Sequence, residues 1–229
     1  MDRGEQSFVK MPLFGAKIYN KIMKITPVQY QISEIAQDLS NIVKKGRILD
    51  IGTGHGRLLK EIHKLNPNIE LYGLDISKAM IEVANTNLLG IQVNLMQGNI
   101  YSTNYEDNFF DLITCTGSFY LWNNPIESLN EVYRILKPNF KAILFETYKD
   151  CDMDQFKHAL KQNLKEESFI NRKILPRFLK KQLNMTYSIA NVQEIINSSK
   201  FSGSFEISKI TLSSLPIWIR IELRKPNEN

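Results

Sequence analysis

Arg47-Ile48-Leu49-Asp50-Ile51-Gly52-Thr53-Gly54-His55-Gly56-Arg57 decides how this 229-residue chain is read. Ile48, Leu49 and Ile51 form a short apolar run bounded by Gly46 and three further glycines, the pattern of a buried strand. The period then changes: Leu58, Leu59, Ile62 and Leu65 recur at helical spacing. Strand, glycine turn and helix open a nucleotide-binding βα unit. Without a Cβ, glycine can take positive φ and let a ligand approach the backbone. The helix that follows offers free N–H groups and a partial positive charge. A dinucleotide site asks for G-x-G-x-x-G. Here the third glycine comes one residue early and Arg57 stands where that pattern needs glycine, which argues against a nicotinamide dehydrogenase.

Asp50-Ile51-Gly52-Thr53-Gly54-His55-Gly56 resembles motif I of the class I S-adenosylmethionine (SAM) dependent methyltransferases. The resemblance implies SAM as cofactor, with Asp50, Gly52, Thr53 and Gly54 around it. Ile69–Leu74 reads as the second strand and ends in Asp75, an acidic residue about 20 positions on, placed to bind ribose hydroxyls. Ser77 serves better than Asp75 as the N-cap of the next helix. Ile76 and Met80 are then expected to flank the adenine, although core packing explains Met80 equally well. A third strand, Ile91–Gln97, leads to Gly98-Asn99-Ile100. The family places Asp at position 99. Asn99 keeps an acceptor oxygen for the adenine amino group, without charge assistance, and the Ile100 N–H can serve the ring.

A fourth strand, Phe110–Cys115, precedes Thr116-Gly117-Ser118-Phe119-Tyr120-Leu121-Trp122. Thr116 is assigned to the cofactor side. The loop lacks the Asn/Asp-Pro-Pro-aromatic motif of enzymes that methylate base or glutamine amines, which counts against DNA adenine and protein glutamine. Phe119, Tyr120 and Trp122 could stack on a flat or apolar substrate, with Tyr148 a fourth candidate; a packed loop explains them as well. Leu129-Asn130-Glu131-Val132-Tyr133-Arg134-Ile135-Leu136-Lys137-Pro138 resembles the family's L-x-E-x-x-R-V-L-K-P-G-G block, with Asn139-Phe140 replacing the glycines. Asn tolerates positive φ, so the turn can persist. Ala142–Tyr148 is a near-continuous apolar fifth strand.

Upstream, Phe14, Ile18, Ile22 and Ile25 line up at helical spacing in 13–25. This segment resembles the lead-in helix of the quinone-biosynthesis C-methyltransferase branch, departing from it at Asn20; the resemblance implies that Tyr19 comes near SAM. Residues 28–43 read as a second helix. Past Tyr148, 152–166 and 171–184 read as polar helices and 191–199 as another. Ser204–Leu212 and Ile217–Leu223 then form a hairpin turning near Ser213–Pro216. The expected fold is α/β: a doubly wound, mostly parallel, seven-stranded Rossmann-like sheet with a terminal antiparallel hairpin. One domain over 1–229 is expected. It comprises a helical lid (1–45), a SAM-binding core (46–148), a helical cap insertion (149–190) and a closing helix and hairpin (191–229).

Composition fits a globular chain, with 43% hydrophobic and 23% charged residues. Cys115 and Cys151 make neither a disulfide framework nor a thiolate metal site. No segment approaches the ~20 apolar residues of a membrane span, so a cytoplasmic location is expected. The net charge of +5 lies in the C-terminal third, where Arg172, Lys173, Arg177, Lys180 and Lys181 cluster. The cluster reads either as a solvated face or as a rim for anions or nucleic acid. The function expected is methyl transfer from SAM, by in-line displacement, to the O, N or C of a small molecule, anionic or aromatic. RNA or protein methylation through 172–181 and catalytically silent SAM binding are the alternatives. No general base stands out: His55 lies in the glycine loop, His63 and His158 on helix faces, and Tyr19, Tyr120 and Tyr148 carry no specific signal.

Overall fold

The computed structural model describes residues 13–227; of the side chains in the first helix, those of Phe14 and Ile18, expected on its apolar face, lie outside the described residues, as does the segment 1–12. Two helices lead: α1 (Leu13–Ile22) and α2 (Thr26–Ile42). Pro27 opens α2, where its missing N–H costs nothing, and Val28, Ile32, Ile35, Ala36 and Leu39 bury one face at helical spacing. Alternating units follow: β1 (Gly46–Ile51), α3 (Arg57–Leu65), β2 (Ile69–Asp75), α4 (Lys78–Asn87), β3 (Val93–Gln97) and β4 (Phe110–Thr116). Then come a 3-10 turn (Phe119–Leu121), α5 (Pro125–Ile135), β5 (Leu136–Thr147), α6 (Met153–Asn163), α7 (Phe169–Met185) and α8 (Ile189–Asn197). The hairpin β6 (Phe205–Leu212) and β7 (Leu215–Arg224) closes the chain.

All seven strands join one sheet in the order β3-β2-β1-β4-β5-β7-β6. The first five run parallel, and β7 pairs antiparallel with both β5 and β6. The order reverses between β1 and β4, so a crevice opens there at the carboxyl ends. Ile48, Leu49, Leu112, Ile113, Ala142 and Ile143 are fully buried between the helical layers. At the opposite edge Asp111 accepts the Arg47 N–H at 2.8 Å and pairs with Lys137 at 2.6 Å, fixing where β1 begins.

Of the boundaries that depart from the sequence reading, those of β5 and the hairpin have clear local reasons. Strand β5 starts at Leu136 rather than Ala142: Asn139 takes φ +66°, and Asn139 and Phe140 exchange bonds with Lys225, so the turn is absorbed as an irregularity within the ladder. The hairpin turn is only Ser213-Ser214, both at positive φ (47° and 59°), which starts β7 at Leu215. Two left-handed residues match the strand twist, as in a type I′ turn. Helix α2 is tied to this hairpin by Glu34 accepting the Ser213 N–H (2.8 Å) and by the Asp38–Arg220 pair (2.9 Å).

Candidate active site

The three turn glycines have three separate causes. A Cβ on Gly52 (φ +70°) would clash with Ser118 Oγ, and one on Gly56 (φ +76°) would meet Leu88 Cδ1 at 2.7 Å. These two let the β4 loop and α4 pack against the turn. Gly54 (φ +55°) meets nothing nearer than a carbonyl at 3.8 Å, so its open side faces the cavity. The turn is strapped to β2: Gly52 and Thr53 donate to the Leu74 carbonyl (2.8 and 3.0 Å), and Gly54 donates to Asp75 Oδ2 at 2.8 Å. Asp75 Oδ1 accepts the Ser77 N–H at 2.8 Å, while Ser77 Oγ caps α4 at the Met80 N–H. Asp75 therefore shapes the turn as well as facing the cavity.

A cavity of about 320 Å³ runs along the carboxyl ends of the strands. Tyr19, Asp50, Gly52, Thr53, Gly54, Asp75, Ile76, Met80, Asn99, Ile100 and Thr116, the residues assigned to the cofactor, all line it. Asn99 Oδ1 accepts the Tyr101 N–H at 3.3 Å, a local turn that holds the side chain at the cavity end. Tyr19 stands edge-on between His55 (6.1 Å) and Phe178 (6.0 Å). Of the four aromatic substrate candidates, Tyr120 and Trp122 line the cavity and two do not. Phe119 is buried edge-on against Trp122 (5.0 Å), because its N–H is drawn to β5 and its ring packs inward. Tyr148, one residue past β5, is buried in a separate cleft beside Asp150, Cys151 and Lys209.

Buried acids dominate the electrostatics of the cavity. Burial, reinforced by the nearby Asp75 charge, raises the Asp50 pKa to about 7. Burial also raises that of Asp75, against the pull of the Ser77 and Gly54 N–H groups. His55 brings no compensating charge, since burial, with Arg57 and Lys24 nearby, lowers its pKa to about 4. Of the basic cluster only Lys181 reaches the cavity, and it is exposed at the rim. Arg172, Lys173, Arg177 and Lys180 face solvent, Arg172 donating to the Glu167 and Lys165 carbonyls. Buried carboxyls without a cation favour a cationic ligand.

Sequence reasoning missed Glu146 and the cavity walls supplied by α2 and β7. Glu146, the lone acid in the apolar β5 run, accepts the Ser118 and Phe119 N–H groups at 2.8 and 2.7 Å, pinning the loop after β4. Burial pushes its pKa up to about 8, against those two N–H groups. Gln31, Ile32 and Ile35 of α2 and Trp218 of β7 also line the cavity; periodicity marked the two isoleucines only as apolar. Thr116 Oγ1 is buried with no partner among the described residues. With Gly54's open face and the carboxyls of Asp50 and Asp75, it fits a polar, positively charged nucleoside. No three His, Cys, Asp or Glu side chains among the described residues come together to hold a metal.

A family model described as a methyltransferase domain matches residues 42–209. The uncharacterized methyltransferase YdaC of Bacillus subtilis (strain 168) is 28% identical over 111 residues, 48% of this chain and 61% of its own. A demethylmenaquinone methyltransferase of Geobacillus sp. (strain WCH70) is 34% identical over 113 residues, 47% of each chain. The chain thus covers roughly half the length of the curated relatives it matches. A crystal structure of a SAM-dependent methyltransferase from Aquifex aeolicus superposes with a TM-score of 0.65 at 17% identity, over 93% of this chain and 98% of that one. At that identity it speaks for the fold.

Proposed function

The chain belongs to this methyltransferase-domain family, and on that premise we propose that it transfers a methyl group from SAM to a small-molecule acceptor at O, N or C. The observation that carries the reading is the cavity with two buried carboxyls, Asp50 and Asp75, an open glycine face and no buried cation among the described residues that line it. Bound SAM supplies an electrophilic methyl on a sulfonium. The chain's part is to bind, orient and exclude water. Asp75 holds the turn and presents its remaining lone pairs to ribose hydroxyls. Asp50 balances positive charge. Asn99 and Ile100 close the adenine end, with Ile76 and Met80 flanking. Glu146 fixes the loop bearing Thr116, Tyr120 and Trp122 at the other end. Displacement at a methyl carbon needs no base unless the acceptor must lose a proton, and no residue is assigned that role.

A small acceptor is favoured because α1, α2 and α7 act as lid and cap over the cavity. Gln31, Tyr120, Gln182 and Trp218 are all buried beneath them, so a folded macromolecule cannot present an atom there without displacing helices. One observation supports the second reading, RNA or protein methylation: the exposed basic face of α7. Steeply salt-dependent RNA binding is its signature. The primary test incubates isotope-labelled SAM and the protein with cell extract. Label in a low-molecular-weight product supports the proposal. Label only in RNA or protein supports the second reading, and none from any extract leaves a silent SAM-binding protein.

A further inference from the structure

Helix α7 has two unlike sides. Leu175, Leu179 and Leu183 are buried on one, where Leu179 also lines the cavity. The other side is open. There Phe169, Ile170 and Ile174 are 70%, 65% and 38% exposed, and Lys173, Arg177 and Lys180 are exposed beside them. At 3.6 residues per turn these six fall within an arc of about 140°. Lys173 Nζ stands 4.3 Å from the centre of the Phe169 ring. The helix carries five cations and no acid. Of Glu166 and Glu167, just before it, Glu167 accepts the Thr26 N–H at 3.1 Å and an Asn171 amide N–H at 2.7 Å. The bond to Thr26 puts Tyr30, exposed one turn further along α2, at the same end of the lid. A lone exposed apolar residue is ordinary, but a group of them set among cations marks a surface that docks.

We propose that this side of α7 docks on an anionic lipid bilayer, its cations against the headgroups and Phe169, Ile170 and Ile174 entering the boundary with the acyl chains. Charge complementarity and apolar content together select this occupant. Lys173 and Lys180 are seven residues apart, roughly 10 Å along the axis, so the cations face a spread of negative charge and do not converge on one anion. RNA offers such a spread too, but its phosphates would leave both isoleucines in water, whereas a bilayer gives them hydrocarbon. A helix with five cations in 17 residues lies along a bilayer surface and does not cross it. Lys181, on the same side, stands at the cavity rim, which sets the mouth of the cavity at the bilayer. The docking goes beyond the methyltransferase reading and does not depend on it.

The test is co-sedimentation of the intact protein with lipid vesicles. Phosphatidylcholine vesicles containing about one third phosphatidylserine should bind it at least about 100-fold more tightly than phosphatidylcholine alone, at about fivefold per cation near the surface. Combining Lys173→Gln, Arg177→Gln and Lys180→Gln should remove about 100-fold of that affinity. Combining Phe169→Gln, Ile170→Gln and Ile174→Gln should remove at least about tenfold at unchanged charge. None of the six lines the cavity, so circular dichroism and affinity for S-adenosylhomocysteine (SAH) should hold in both variants. In the reporter Phe169→Trp, emission should shift blue relative to the native protein on the mixed vesicles and be quenched by chain-brominated lipid. Equal binding to the two kinds of vesicle, undiminished binding of either triple variant, or no blue shift of the reporter each overturns the inference. Polyuridylate that displaces the native protein from mixed vesicles at equal charge overturns it in favour of RNA. The vesicle comparison and the reporter decide the matter even if a triple variant does not fold. Failure of the native protein to bind SAH bears on the methyltransferase reading alone, so the two failures are distinguishable.

Discussion

Over β1 and β2 the cavity is made of backbone and carboxyls: Gly54 offers an open face, and Asp75 receives the N–H groups of Gly54 and Ser77. Over β5 and β7 it is made of apolar side chains from α2 and α7, with an indole at the floor. A backbone-built site needs particular residue types at particular positions, because glycine takes a left-handed turn at least cost and a carboxylate offers one oxygen to each strap. A side-chain-built site can be assembled from any residues of suitable bulk, so its chemistry depends on which helix folds over it. The two ends should therefore respond differently to mutation.

The largest effect is expected from Asp75→Ala. Two backbone donors lose a charged acceptor and the ribose loses its partner, so SAM affinity measured by calorimetry should fall about 100-fold. Stability in urea should fall far less than SAM affinity; an affinity loss no larger than the stability loss predicts would erase the distinction drawn here. Gly56→Ala should come next, as a loss of stability. A Cβ at φ +76°, 2.7 Å from Leu88, should cost about 2–3 kcal/mol in denaturant unfolding. Gly54→Ala, with open space around it, should cost only about 1–2 kcal/mol of strain and show its defect in SAM affinity instead.

Protonation acts on the β1 end of the cavity through Asp50. Asp50 titrates near pH 7 in the folded protein, above its unfolded value. Its contribution to the stability of the free protein is thus full below about pH 4 and is lost as pH rises through about 7. Binding of a cationic ligand runs the other way, gaining about tenfold from pH 6 to 8 through this group. Asp50→Asn should remove that component of both slopes, read as the difference from the native protein in thermal melts and in SAM titrations. The smallest effect is expected for Glu146→Gln. With a folded pKa of about 8, Glu146 is mostly neutral at pH 7, and the amide oxygen can still take the Ser118 and Phe119 N–H groups. A change under about 1 kcal/mol in urea unfolding is expected, against about 2 kcal/mol for Glu146→Ala, which leaves both donors unpaired.

The same contrast explains what the sequence discloses. The doubly wound, mostly parallel sheet and the family could be read from Gly52, Gly54, Gly56, Asp75 and the Leu136-Lys137-Pro138 block, since each is tied to one backbone geometry, and the closing hairpin from the alternation in 204–212 and 217–223. Cavity-lining placement also followed for the eleven residues assigned to the cofactor. Phe119 and Tyr148 lie outside the cavity because an aromatic in a loop or at a strand end can turn either way, and hydrogen bonds made elsewhere decide which: Glu146 for Phe119, the Ile217 carbonyl for Tyr148. Trp218 and Gln31 escaped notice because nothing in their own segments shows that α2 will be tied over the hairpin by Glu34 and Asp38. The basic run on α7 suggested an anion rim, yet helical phase leaves one of its five cations at the cavity.

Crystallography of the protein with SAH tests the central claim most directly. The account predicts electron density for the nucleoside between Asp75 and Asn99, the homocysteine portion passing Gly54 toward Thr116, and the slot above Trp218 left clear of the cofactor. SAH lying across Trp218, or a cavity that stays closed by its own side chains at saturating SAH, would contradict it.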